Sequence, residues 1–316
     1  MTPAGTLTTL YSFDYADGYA PQASLVQGTK GSFYGMAVSG GAYGYGTIFN
    51  ITPAGDLTTL HSFNATDGAY PFGGLIQTTN GTLYGTTSEG GASGITGNGT
   101  IFKITQGGAL TTMYSFDPTD GSSPNGLIQA TNGRFYGTTS AGGASSWGTV
   151  FTIDSTGALT TLHNFDQADG AGPDGGVIQA TDGNFYGTTA TGGGPYGDGT
   201  VFKITPAGVL STLHSFTGAD GVGPDAGLLQ ATDGNLYGTT LQGGTQNLGT
   251  VFQITLGGTL TTLHSFENSD GAEPSAGLFQ ATNGNFYGTT FAGGAVGVGV
   301  VYSTSMGLGP FVKHRR

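Results

Sequence analysis

The chain has 316 residues, of which 63 are glycine and only 8% are charged, and 19 acids against 7 bases give a formal charge of −12. With Lys30, Lys103, Arg134 and Lys203 as the only bases before the last four residues, no surface can neutralise a phosphate backbone, which excludes nucleic-acid binding. An aromatic content of 11% with few charges excludes disorder, no apolar run reaches the ~18 residues of a membrane span, and the absence of cysteine excludes disulfides and thiolate ligands.

From the N-terminus, the first β-like run is Leu7–Phe13, followed by a unit that repeats at roughly 50-residue intervals, a period typical of propellers and arrays. Its marker is Phe33-Tyr34-Gly35, which returns as Leu83-Tyr84-Gly85, Phe135-Tyr136-Gly137, Phe185-Tyr186-Gly187, Leu236-Tyr237-Gly238 and Phe286-Tyr287-Gly288. Four short runs rich in Thr, Phe, Tyr, Val, Ile and Leu fill each period. In the fourth repeat these strands, A to D, are Gly176–Ala180, Phe185–Thr189, Thr200–Thr205 and Leu210–Phe216. Asp182-Gly183-Asn184 joins A to B with the chemistry of a type I′ hairpin, and Pro206-Ala207-Gly208 joins C to D. The B–C and D–A connections are longer and vary between repeats.

The chain closes on Ala276–Gln280, Phe286–Thr290 and Val298–Ser303, an A, B and C without a D. Leu7–Phe13 is a D without the other three. The expectation is an all-β, six-bladed β-propeller of four-stranded blades, its ring closed by the N-terminal strand D joining the C-terminal strands A–C, because closure removes exposed sheet edges. Residues 1–305 form that single domain and 306–316 a tail.

The recurring Gly-Thr-Val-Phe-x-Ile-Thr, Leu-Thr-Thr-Leu-His-Ser-Phe, Asp-Gly-x-x-Pro and Asn-Phe-Tyr-Gly-Thr-Thr segments resemble the GloVer tandem-repeat family of bacterial surface or secreted proteins. The resemblance covers residues 5 to about 304. It implies an extracellular or cell-surface location, a secretion signal and anchor lying outside this sequence, and a further module after Gly307–Lys313. It implies shape and location rather than chemistry.

Several residue sets invite a functional reading. Asp17, Asp67, Asp120, Asp169, Asp220 and Asp270, each before a glycine, are repeated calcium ligands or, as sixfold repetition favours, turn-makers. Gln27, Gln77, Gln129, Gln179, Gln230 and Gln280 on strand A are ligands of a channel or partners of neighbouring backbone. His61, His163, His214 and His264, replaced by Tyr11 and Tyr114 in the other repeats, read as packing residues on the outermost strand. The glycine pairs after strand B, such as Gly192-Gly193, lack the Lys-Ser/Thr of a phosphate loop.

Positions that break the repeat are more informative. The residue after the proline that opens strand A is Gln22, Phe72, Asn125, Asp174, Asp225 and Ser275 in turn. Asn125, Asp174 and Asp225 are therefore the candidate metal ligands at the channel mouth, suited to Ca2+, and Asp174 and Asp225 the candidate catalytic acid and base. Tyr43, Tyr45, Trp147 and Tyr196 in the B–C loops are candidate sugar-stacking rings. The favoured function is a monomeric extracellular recognition or scaffold module that binds glycan or another surface polymer. The alternative is a metal-assisted hydrolase, lactonase or lyase at the channel mouth. A purely structural array without ligand is the third reading.

Overall fold

The computed structural model describes residues 8–305 and 307–308. It is all-β apart from a single 3-10 turn at Gly94–Thr96 among these residues, and its strands form six antiparallel sheets. In the fourth sheet Val177–Gln179, Phe185–Thr189, Thr200–Ile204 and Leu210–Ser215 lie side by side in chain order. The first, second and fifth sheets have the same four-strand order, and the third adds a fifth strand, Ser122–Pro124, beside Phe135–Ala141. The sixth contains Phe279–Gln280, Phe286–Thr289 and Val301–Thr304. Residues 8–13 carry no strand, and Leu7 lies outside the described residues. The chain divides into two compact units, residues 1–137 with 152–159 and residues 138–151 with 160–316.

A steric match explains why Tyr-Gly on strand B is accompanied by Ile-Phe or Val-Phe on strand C in five repeats and by Val301-Tyr302 in the sixth. Gly187 on strand B faces Phe202 on strand C, and a Cβ at Gly187 would lie 2.6 Å from the ring. Gly35 with Phe49, Gly85 with Phe102 and Gly238 with Phe252 repeat this, at 2.5 to 2.6 Å. The ring occupies the volume that a side chain on the neighbouring strand would otherwise fill. Its edge then receives the strand D phenylalanine of the preceding sheet: Phe63 meets Phe102 at 5.4 Å, Phe165 meets Phe202 at 5.3 Å and Phe216 meets Phe252 at 5.3 Å. Such T-shaped pairs are worth about 0.5–1.5 kcal/mol beyond their buried area. The apolar cores accordingly lie between consecutive sheets; Tyr186, Val201 and Phe216 of the fourth sheet pack with Leu236, Phe252 and Ile254 of the fifth.

The tight turns differ from the expected type I′ hairpins. Ala180 N–H donates to the Asn184 carbonyl and Gly183 N–H to the Ala180 carbonyl, both at 2.9 Å, which defines a three-residue loop with a bulge. Only Gly183 takes positive φ, at 82°. Asp182 keeps ordinary φ and uses its side chain to accept the Asn184 N–H at 3.1 Å. An Asn-Gly or Asp-Gly pair serves either turn, and here the side-chain cap selects the wider one.

Substituting Gly187→Ala forces a methyl into the Phe202 ring, and overpacking of this kind costs about 1–3 kcal/mol. Urea unfolding should show that loss, and a second change of Phe202→Leu should recover part of it.

Candidate functional site

The first five sheets contain strands A–B–C–D side by side, so in each the B–C loop and the D–A connections lie at the same end of the strands. A backbone bond ties these loops from one repeat to the next. Gly172 N–H donates to the Trp147 carbonyl at 3.1 Å, and Gly223 N–H to the Asp198 carbonyl at 3.0 Å. Each acceptor ends a B–C loop, and each donor precedes the proline that opens the next strand A. The bond therefore fixes where Pro173-Asp174 and Pro224-Asp225 emerge.

Asp174 and Asp225 come together in the second unit. Crowding by protein atoms raises the Asp174 carboxyl above its ordinary value despite its solvent-accessible face, while a hydrogen bond from Ser140 opposes the rise. Burial pushes Asp225 up to about 6, and the neighbouring Asp174 charge adds to the effect. Asn125, the third expected ligand, belongs to the other unit, where its backbone carbonyl accepts from Thr86 Oγ1 at 2.9 Å. Among the described residues no group of three or more His, Cys, Asp or Glu side chains is arranged to hold a metal ion. Oxygen donors beyond the two aspartates would have to come from backbone, Ser140 or solvent.

The four candidate rings divide. Tyr43, Trp147 and Tyr196 are 61%, 42% and 68% exposed. Tyr45 instead packs edge-on against Tyr70 at 6.1 Å and against the apolar core beneath, so its face is not free to stack on a ligand. Its position matches that of Trp147, at the end of the B–C loop.

The regularly repeated polar residues serve the frame. His61, His163, His214 and His264 bond through Nε2 to Asp67, Asp169, Asp220 and Asp270 at 2.7 to 2.9 Å. Tyr11 and Tyr114 donate to Asp17 and Asp120 in the same way. A ring that can reach the carboxylate is the requirement, which is why His and Tyr interchange. The other carboxylate oxygen accepts a backbone N–H three residues back, as from Asn64 to Asp67 at 3.0 Å. At Asp67 burial pushes the carboxyl up, yet the bonds from His61 and Asn64 outweigh it and leave a lowered pKa. At Asp120, paired with tyrosine, burial prevails and the pKa is raised. The constant six-residue spacing of ring and aspartate was the overlooked signal. Gln230 likewise clasps the preceding sheet, accepting the Thr181 N–H at 2.9 Å and donating to Thr181 Oγ1 at 3.2 Å, and Gln280 does the same with Thr232.

A model of the Gloeobacter/Verrucomicrobia repeat matches residues 1–146 and 123–312. The chain belongs to this family. Its sheets are β-propeller-like. The repeat-family chain is similar to a catalytically inactive virginiamycin B lyase from Staphylococcus aureus with quinupristin, at TM-score 0.61 and 16% identity over 86% of this chain and 78% of that one. It also resembles a gluconolactonase from Xanthomonas campestris, at TM-score 0.54 and 14% identity over 92% and 88%. A luciferin-regenerating enzyme aligns at TM-score 0.57 and 13% identity over 94% of each chain. At such identities the likeness is one of fold. No curated protein matches the chain.

The aspartate pair makes a pH prediction with a defined sign. Folding raises the Asp225 pKa from 3.8 to about 6, so the folded state holds its proton more tightly than the unfolded chain. The penalty is absent below pH 3.8, grows as pH rises through that window and is complete above about 6. Asp225→Asn should therefore match the wild type at pH 3.5 and exceed it at pH 7.5, by on the order of 1–2 kcal/mol after allowance for solvent screening. Parallel urea titrations at the two pH values measure it.

Proposed function

We propose that this chain is a recognition module that binds neutral or weakly cationic glycan on the loop end of its sheets. The observation that carries the reading is the meeting, in one unit, of the Asp174–Asp225 pair with an exposed Trp147 whose carbonyl holds Gly172, two residues before Asp174. Carboxylates accept hydrogen bonds from sugar hydroxyls, and an indole face stacks on the C–H face of a pyranose. The formal charge of −12 disfavours acidic polymers. An extracellular or cell-surface location fits this reading.

A second reading, a hydrolase, lactonase or lyase, draws support from Asp225. A carboxyl titrating near 6 is poised for proton transfer around neutrality, and propeller-like lyase and lactonase structures share the fold. A cation such as Ca2+ between the carboxylates would relieve their repulsion. One titration separates the readings, using a panel of neutral oligosaccharides with and without Ca2+. Trp147→Ala should weaken binding at least about tenfold with the melting temperature unchanged. If Asp174→Asn with Asp225→Asn leaves sugar binding intact but removes a calcium-dependent rise in melting temperature, the cation reading gains; a blank panel for the wild type removes the glycan reading.

The accompanying fold proposal is a single six-bladed propeller over residues 1–305, closed by pairing Leu7–Phe13 with the outer edge of Val301–Thr304. Two features support it. Leu10 and Phe13 lie against the first sheet as strand D residues of the other repeats lie against the next: a Cβ at Gly55 would be 2.5 Å from the Leu10 carbonyl, as one at Gly208 would be 2.8 Å from that of Leu162, and Phe13 meets Phe49 at 5.1 Å. Val301 is 79% exposed, and the buried Tyr302 hydroxyl has no partner among the described residues. Deleting residues 1–14 should lower the melting temperature by about 5 °C or more; an unchanged melt contradicts closure.

A further inference from the structure

The repeat breaks symmetry at a second place. Beside the fourth sheet, a concavity of about 510 Å³ is lined by Asp166, Gln167 and Ala168 of the D–A loop and by Pro195 and Tyr196 of the B–C loop. The Tyr196 ring is 68% exposed over it. Backbone bonds fix both walls: Gly193 N–H donates to the Gln167 carbonyl at 2.8 Å, Gln167 N–H to the Gly170 carbonyl at 3.1 Å, and Gly192 N–H to the Gly197 carbonyl at 3.1 Å.

Gln167 stands there at a conformational cost. Its φ is 71°, in the left-handed region, and the equivalent position of the next repeat is Gly218 at 76°. Glycine adopts that geometry freely, whereas a residue with a long side chain is strained by about 1 kcal/mol or more. The Gln167 side-chain amide forms no hydrogen bond among the described residues that would offset the strain. Asp166 directs Oδ1 to the Ala168 and Asp169 N–H groups, at 3.1 and 3.3 Å, and leaves Oδ2 without a protein partner among those residues.

We infer that this concavity is a binding subsite for one neutral hexopyranose residue of a glycan. This rests on the glycan-recognition reading and locates a contact separate from Asp174 and Asp225. The Tyr196 ring stacks on the C–H face of the sugar, presenting a large, rigid apolar face with a polar hydroxyl at its edge. The planar amide of Gln167 and the free oxygen of Asp166 bond neighbouring hydroxyls, one as donor and acceptor, the other as acceptor. The Asp166 charge turns away uronic and phosphorylated sugars. An open, polar hollow with one aromatic wall suits modest affinity for a unit within a polymer.

The test is calorimetric titration of the full chain with cellohexaose, laminarihexaose and mannohexaose, on wild type, Tyr196→Ala, Gln167→Gly and Trp147→Ala. Tyr196→Ala should weaken binding of whichever hexasaccharide the wild type takes by about tenfold, with no change in melting temperature. Gln167→Gly is the diagnostic variant: relief of strain should raise the melting temperature while binding weakens severalfold. If Trp147→Ala abolishes binding while Tyr196→Ala and Gln167→Gly bind as the wild type does, the subsite is wrong and glycan recognition stands. If the wild type binds none of the three sugars, both fall. A lower melting temperature for Gln167→Gly with unchanged affinity assigns Gln167 to the loop alone and overturns its role.

Discussion

The structure depends on a phenylalanine ring set against a bare glycine. Where Phe202 covers Gly187, the ring lies close enough to the neighbouring strand for Phe165 of the preceding sheet to pack on its edge. The same three-part contact joins Phe63, Phe102 and Gly85, and Phe216, Phe252 and Gly238. Strand pairing makes each sheet, but this contact makes one sheet need the next. A lone sheet of this kind would expose an apolar face and a row of rings, so burial of that face between repeats is what stabilises the unit.

Polar groups follow the same logic of neighbour holding neighbour. Gln230 reaches back to Thr181, and Gly172 reaches back to the carbonyl of Trp147. Every such bond satisfies a backbone group that would otherwise be costly near a buried seam. Within each repeat the His–Asp or Tyr–Asp pair ties the end of strand D to the loop that follows. With the frame secured by repeated residues, the loop end is free to vary, and variation there is what distinguishes Trp147, Asp174, Tyr196 and Asp225 from their counterparts.

Much of the fold could be read from the chain because the marker Tyr-Gly and the Thr-Val-Phe run recur with strand-like composition and a fixed period. The order of strands in each sheet followed directly. The turn type did not, since Asp182-Gly183 is compatible with two hairpins and the choice lies in a side-chain cap. At the site, asymmetry pointed to Asp174 and Asp225, and the structure brings those two together. Tyr45 and Trp147 share one position in the repeat, yet Tyr45 finds Tyr70 as a packing partner and Trp147 keeps an exposed ring. That difference depends on a residue in the next repeat, which no local pattern reveals. The kind of partner that Gln230 finds, backbone of the neighbouring repeat, was legible because a buried amide needs partners, whereas its identity as Thr181 was not.

This division between a symmetric frame and asymmetric loops can be tested by restoring symmetry. A triple variant, Trp147→Leu with Asp174→Ser and Asp225→Ser, places at each position a residue that other repeats carry there, as at Leu248 and Ser275. Its melting temperature and its glycan affinity, measured on the same preparation, decide the matter. The account predicts a melting temperature equal to or above that of the wild type at pH 7.5, because a repelling carboxylate pair is gone, together with loss of binding. A clear fall in melting temperature with binding retained would contradict it and return these residues to the frame.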